Sequence, residues 1–132
     1  MPDMPRPDAV VIRFRPVDAE RVLLRAEQNA RDPDCGGHYG SSVFADHARD
    51  DEGRDDVVKR LLADSELDGI DPVSNSKYWL CTTAQELLDR KFTFVKDGWT
   101  GEPLTHYSVV LGNPPTIDDA KRFLEPFRPE RR

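Results

Sequence analysis

The most informative stretch of the sequence is a strand pattern that leads into a helix pattern, HYSVVLGNPPTIDDAKRFLEPF at residues 106–127. Its first six residues are rich in β-branched and aromatic side chains that alternate between two faces, which predicts a strand inside a sheet. Gly112 and the prolines after it end this strand. Thr116 stands at a helix cap with Asp119 three residues later, and apolar residues then recur at helical spacing. The stretch therefore predicts a helix over residues 116–125 that packs on the sheet.

The same two patterns recur earlier in the chain. Strands are predicted at residues 10–15, 41–45, 78–81 and 92–95, and helices at residues 54–67 and 83–90. In the first of these strands the apolar residues share one face, and Arg13 and Arg15 share the other. Such alternation is typical of a strand with a single buried side.

Residues 18–31 can be interpreted in two ways. Asp18 can cap a helix, and the apolar residues after it recur at helical spacing among residues of good helix propensity. Alternatively, residues 21–27 can form a strand, with Val22, Leu24 and Ala26 pointing inward. Propensity favours the helix, and both interpretations stay open at this point.

These elements together predict the α+β class. We expect one domain over residues 9–127, with one sheet of about four or five strands packed by two or three helices. Residues 1–8 hold three prolines and two aspartates, which predicts a flexible, disordered N-terminal segment. Residues 128–132 hold three arginines and are expected to form a basic C-terminal tail.

Composition and charge narrow the classes of function. The 132 residues suit one domain, and 19 basic against 25 acidic residues give a net charge of −6, which disfavours nucleic acid and anionic lipid as partners. Residues 46–68 supply most of this charge, with nine acidic and four basic residues. The chain shows no apolar run of membrane-spanning length and no signal-peptide pattern at its start, so we expect a cytoplasmic protein with no membrane partner.

Catalytic and metal-binding signatures are absent from the sequence. A formal Cys₂His₂ set exists in Cys35, His38, His47 and Cys81, but it lacks a second closely spaced pair, so we expect no metal. The densest functional-looking stretch is GGHYGSS at residues 36–42, where glycines expose backbone donors beside His38, Tyr39 and two serine hydroxyls.

Three short segments resemble a family of small toxins that type VI secretion injects into bacteria. They are Leu24-Arg25-Ala26, the run GSSVFAD at residues 40–46, and THYSV at residues 105–109. The family is similar to mono-ADP-ribosyltransferases, which hold NAD in a cleft between two sheets and act in the cytoplasm of the target cell.

The resemblance implies an NAD-binding site and a set of site residues. The implied catalytic residues are Arg25, Ser41, Ser42 and His106, and the implied NAD-binding residues are Arg25, His38, Tyr39 and Tyr107. Arg25 would contact the nicotinamide ribose or a phosphate, the serines would support the pocket, and His106 with Tyr107 would line it. These family enzymes usually also use a glutamate, and Glu102 lies near the last of the three segments.

A second hypothesis needs no catalysis. The chain would then be a small acidic protein-binding module, such as an immunity protein, an antitoxin or a regulatory partner. The acidic residues of 46–68 would attract a basic partner, and Trp99, in a loop rich in turn residues, would be an aromatic anchor. Under either hypothesis we expect a protein partner, a cognate inhibitor or toxin.

Overall fold

The computed structural model describes residues 4–14, 17–32, 37–67, 78–96 and 104–131. Within these ranges the chain forms one open sheet and four helices, which confirms the α+β class. None of the helices in these ranges is both long and apolar enough to span a membrane.

The sheet has six strands, all antiparallel to their neighbours, in the described part of the chain. They are β1 (Val10–Arg13), β2 (Gly40–Asp46), β3 (Tyr78–Thr83), β4 (Thr93–Val95), β5 (His106–Val110) and β6 (Arg128–Arg131). Their spatial order is β4-β5-β2-β1-β3-β6. Strand β1 is central, since Val11 lies opposite Ala45 of β2 on one side and Thr82 of β3 on the other.

Helices cover both faces of this sheet. They are α1 (Ala19–Arg31), α2 (Arg54–Leu67), α3 (Ala84–Asp89) and α4 (Ile117–Leu124). Helices α1, α3 and α4 bury their apolar residues with Val11, Val43 and Val109, on what we call the three-helix face. Among the described helices, α2 alone packs on the opposite side, the α2 face, which carries Ile12 and Phe44. The fold therefore has two cores separated by the sheet.

Local capping explains where three of the helices begin. The side chain of Asp18 accepts a hydrogen bond from the backbone N–H of Arg21, so residues 18–31 adopt the helix that propensity favours. Thr83 caps α3 in the same way. Thr116 and Asp119 bond reciprocally to each other's backbone and form the expected capping box of α4.

The structure differs from the sequence-based predictions in three places. The sheet has six strands and not four or five, and four helices occur instead of two or three, in the described residues. Residues 128–131, expected in a tail, form β6 because they pair with β3, and Pro129 is tolerated there since β6 is an edge strand. Residues 4–8, expected to be loose, contact α3 through the backbone N–H of Gln85, which donates to Pro7.

Burial also differs from the sequence-based prediction at β1, which is buried on both sides. Arg13 was expected on an unburied face, but its residue is only 1 % exposed. The reason is that α4 covers the three-helix face at this point. The two faces of β1 therefore each contact a core, and neither is exposed to solvent. Arg15 lies outside the described residues.

Candidate functional site

The two serines predicted from the resemblance lie on opposite faces of the sheet. Ser41 and Ser42 are neighbours in β2, and side chains of successive strand residues point to opposite sides. Ser41 is buried on the three-helix face with Val43, whereas Ser42 is exposed on the α2 face with Phe44. A single cleft on one side of the sheet cannot take both hydroxyls.

His106 and Tyr107 are divided in the same way. His106 is buried on the α2 face, where its ring centroid lies 5.3 Å from that of Phe44. Tyr107 packs against the three-helix core, with its ring at right angles to that of Phe94. Lys96 lies over the Tyr107 ring, 4.6 Å from its centroid. Both side chains thus contribute to packing on separate sides of β5.

The other implied site residues are spread over the three-helix side. Arg25 is exposed on α1, a helix and not the strand on which the resemblance would place it. His38 and Tyr39 are half-buried just before β2, and the backbone carbonyl of Tyr39 accepts from the N–H of Leu111. Trp99 and Glu102 lie outside the described residues. The sheet therefore separates these residues from Ser42 and His106, the two implied catalytic residues that lie on the α2 face.

Within the described ranges, no group of three or more His, Cys, Asp or Glu residues is arranged to hold a metal ion. Cys81 is a free, buried thiol, and Cys35 lies outside the described residues. Burial raises the pKa of Cys81 to about 11, and nearby Arg54 lowers it only in part. The Cys81 thiol is therefore protonated at neutral pH and is a poor nucleophile.

A different group of residues forms the most organised polar surface. It is the segment of residues 46–56, from the last residue of β2 to the first turn of α2, which we call the acidic loop and which contains six acidic and two basic residues. Arg60, on α2, contacts the start and the middle of the loop. Its Nε donates to Oδ2 of Asp46 at 2.9 Å and one terminal nitrogen donates to Oε2 of Glu52 at 2.6 Å. The other terminal nitrogen donates to the backbone carbonyl of His47 at 3.1 Å.

Further hydrogen bonds fix the turns of the acidic loop. The backbone N–H of Arg49 donates to Oε1 of Glu52 at 2.9 Å, and the N–H of Glu52 donates back to the carbonyl of Arg49 at 2.9 Å. The N–H of Gly53 donates to Oδ2 of Asp56 at the start of α2, at 2.9 Å. Such a closed set of bonds gives the loop one conformation, although part of it is exposed.

These bonds also shift the pKa values of two carboxyl groups. Partial burial raises the pKa of Asp46, but hydrogen bonds from the His47 backbone, Arg60 and Arg49 outweigh it and the net shift is downward. The pKa of Glu52 is lowered chiefly by its hydrogen bond from Arg60. Both groups are therefore charged well below neutral pH.

The remaining carboxylates of the acidic loop point to solvent. Asp50, Asp51 and Asp55 are exposed, and none of them has an ion pair or side-chain hydrogen bond within the described part of the chain. The arginines that could neutralise them are engaged elsewhere, Arg49 with Asp46 and Glu52, and Arg54 with Glu130. The loop thus presents a fixed, uncompensated negative surface.

Sequence reasoning missed one buried cation, Arg13. Its guanidinium carbon lies 5.3 Å from the ring centroid of Phe123 and 5.6 Å from that of Phe127. Within the described ranges, none of its three side-chain nitrogens has a hydrogen-bond partner. Burial lowers the pKa of Arg13 to about 10, so the group is still charged at neutral pH. The burial of Arg13 could not be predicted from the alternating residue types of β1, because this pattern does not reveal which faces of a strand other elements cover.

No protein-family model matches this chain, and no curated protein or solved structure is significantly similar to it.

Proposed function

We propose that this chain is a non-catalytic, acidic protein-binding module, such as an immunity protein, an antitoxin or a regulatory partner. Its acidic loop binds a basic surface of the partner protein. The observation that carries the proposal is the set of three exposed carboxylates, Asp50, Asp51 and Asp55, on a loop whose arginines are already paired. A basic partner supplies the counter-charges that these groups lack.

The rigidity of the loop supports a role in binding. An interface segment that is ordered before contact loses less conformational entropy when the partner binds. The Arg60 bonds to Asp46 and Glu52 provide this order without involving the outward carboxylates. The charged groups can therefore contact a partner while the loop keeps its conformation.

The distribution of charge over the molecule also supports the proposal. The acidic loop and α2, residues 46–67, carry eight acidic and four basic residues, and they lie on the α2 side of the sheet. Helices α1, α3 and α4, on the opposite side, carry six acidic and five basic residues together. The negative charge of the protein is thus concentrated on one side, which favours steering of a basic partner to that side.

The test is a comparative capture of partners from the source cell. Two baits are compared, the wild-type protein and a charge-reversed variant with Asp50→Lys, Asp51→Lys and Asp55→Lys. We expect the wild type to retain a basic protein that the charge-reversed bait does not retain, because each lysine repels the partner's cations. For the captured pair, the association rate at low salt should fall about 10-fold or more with the reversed loop, since charge steering changes on-rates by 10 to 1,000-fold.

A matched control separates the position of the charge from its amount. Glu20→Lys, Asp118→Lys and Glu125→Lys make the same change in net charge with exposed residues on the three-helix side. This control should lose much less of the association rate than the loop variant. Equal losses in the two variants would mean that net charge alone governs binding and that the acidic loop is not the interface.

The toxin hypothesis makes a different prediction. An ADP-ribosyltransferase-like protein binds NAD, and calorimetry with the folded protein measures this directly. NAD binding that Arg25→Ala abolishes would favour the toxin over the binding module. The binding module predicts that the calorimeter detects no NAD binding.

A further inference from the structure

We infer that Arg13 anchors a binding site for a small oxyanion, either inorganic phosphate or a carboxylate ion, on the three-helix face of the sheet. The site is formed by the end of β1 and by the phenylalanines at the end of α4 and in the turn after it. It lies on the side of the sheet opposite α2, so it is independent of the proposed protein-binding surface.

The hydrogen-bonding capacity of Arg13 is unmet within the described residues. A guanidinium has five N–H donors, and all three nitrogens of Arg13 are buried with no acceptor among the residues that the structure describes. Buried donors and buried charges in folded proteins almost always have partners, because an unpaired one is costly. The residue is only 1 % exposed, so bulk water does not supply these partners.

The aromatic contacts of Arg13 stabilise its charge but do not supply acceptors for its N–H groups. Phe123 and Phe127 lie within 6 Å of the guanidinium carbon and stabilise its positive charge through their ring faces. A ring face is a weak acceptor, whereas guanidinium N–H groups point outward in their own plane. The two rings therefore hold the cation in place and leave its N–H groups for another acceptor.

The chemistry of the missing acceptor follows from these groups. A planar fork of N–H donors with a full positive charge matches the paired oxygens of a carboxylate or a phosphate, which accept two parallel hydrogen bonds. No carboxylate in the described residues pairs with Arg13. The burial of the side chain limits the ligand to a small ion, because a large one would displace much of the core above it.

The experiment measures thermal unfolding of the whole protein in sodium phosphate, sodium acetate and sodium chloride at equal ionic strength. Phosphate or acetate, at roughly ten times its dissociation constant, should raise the unfolding midpoint by about 5 °C over chloride, since it binds only the folded state. The salt that gives the larger shift identifies the oxyanion. Equal midpoints in all three salts would overturn the inference.

Two variants show whether Arg13 is the binding group. Arg13→Met keeps an unbranched side chain of similar length without the charge, and its midpoint should not respond to phosphate or acetate. Arg13→Lys keeps the charge without the fork and should respond less than the wild type. The control, Arg128→Met, removes an exposed arginine of β6 and should respond fully. A response of Arg13→Met equal to that of the wild type would place the anion elsewhere and overturn the inference.

A measurement on the wild type keeps the test valid if Arg13→Met does not fold. The Nε–H signal of Arg13 in nitrogen-15 NMR reports directly on its hydrogen bonding, and Arg13→Lys assigns this signal by its loss. We expect the signal to shift in a saturable way as phosphate or acetate is added, and to stay unchanged with chloride. A signal that does not move with either oxyanion would show that Arg13 is a structural cation held by its two aromatic neighbours alone.

Discussion

Arg60 determines the conformation of the acidic loop. It bonds to Asp46 at the end of β2, to the backbone of His47 and to Glu52, and no other side chain in the described residues makes three such contacts with this loop. Because its guanidinium is a rigid fork, these bonds fix the position of Glu52 relative to the start of the loop. The exposed carboxylates keep their places as a result.

Replacing Arg60 should loosen the loop and change the pH dependence of stability. Arg60→Met removes its hydrogen bonds to Asp46 and His47, and the free energy of unfolding at pH 7 should fall by about 1 kcal/mol. The pKa values of Asp46 and Glu52 are lowered in the folded protein, so their stabilisation is present above the ordinary carboxyl pKa near 4. It is lost as the pH falls through the lower folded-state values.

Urea unfolding of wild type and Arg60→Met at pH 7 and at about pH 3 tests this. The difference in unfolding free energy between them should shrink at the lower pH, where Asp46 and Glu52 begin to be protonated. The control is Lys59→Met, an exposed neighbour in the same helix, which should change stability by less than about 0.5 kcal/mol at both values. A difference that is the same at pH 3 and pH 7 would contradict the assigned role of the two carboxylates.

At the scale of the elements, the turn between β5 and α4 places the capping box. Gly112 lies where this turn is tightest, since a Cβ there would be 2.8 Å from Cα of Pro115 and 3.1 Å from Oδ2 of Asp119. That carboxylate oxygen accepts from the backbone N–H of Thr116 at 2.8 Å. The absence of a side chain at residue 112 thus leaves room for the capping box with which α4 begins.

Gly112→Ala should therefore destabilise the protein. The methyl group has to displace the backbone of Pro115, and overpacking of this kind costs about 1–3 kcal/mol. Gly53→Ala is the matched control, because a Cβ at residue 53 meets no atom within 4 Å, and its effect should be below about 0.5 kcal/mol. Chemical denaturation measures both. Similar losses in the two variants would show that the close approach at Gly112 is relieved at no cost.

The elements that could be predicted from the sequence are those specified locally. The caps Thr83 and Thr116 act within three residues of their own position, so their helices begin as predicted, and the cap at Asp18 decides for the helix where residues 18–31 were open between helix and strand. Strand β6 could not be predicted, because its residues have no apolar alternation and pair with β3, about 50 residues earlier, where Glu130 accepts from the indole N–H of Trp79. Its formation depends on tertiary contacts that a local pattern does not contain.

The candidate site could likewise be predicted only where it depends on local sequence. The acidic composition of residues 46–68 could be read from the sequence, but the separation into paired and outward carboxylates depends on Arg60, 14 residues from Asp46. The site residues that the resemblance implies could form one site only if three distant segments of the chain converged. Adjacent residues of β2 and of β5 point to opposite faces, and short matching segments do not reveal this.

At the scale of the whole molecule, the sheet separates two cores. Val22 of α1 is buried on the three-helix face, and Val57 of α2 is buried on the other. Side chains on opposite sides of a sheet share no packing partners. Substitutions in one core should therefore leave the other unaffected.

A double-mutant cycle tests this separation. Val22→Ala and Val57→Ala should each lower the free energy of unfolding by about 1–2 kcal/mol, and the double variant should lose the sum within about 0.5 kcal/mol. The contrasting cycle is Val57→Ala with Leu61→Ala, one turn apart in α2 and in the same core, which should depart from additivity. Coupling across the sheet as large as that within α2 would show that the two cores respond as one.

The concentration of negative charge on the α2 side also affects what happens before any contact is made. A molecule with its charge displaced from its centre has an electric dipole moment, and the field of an approaching cationic protein exerts a torque on it. For the basic partner proposed above, this torque would turn the acidic loop forward while the two proteins are still separated by about a Debye length of solvent. A larger share of random collisions would then begin in the correct orientation, which would make association fast without adding a single contact to the final complex.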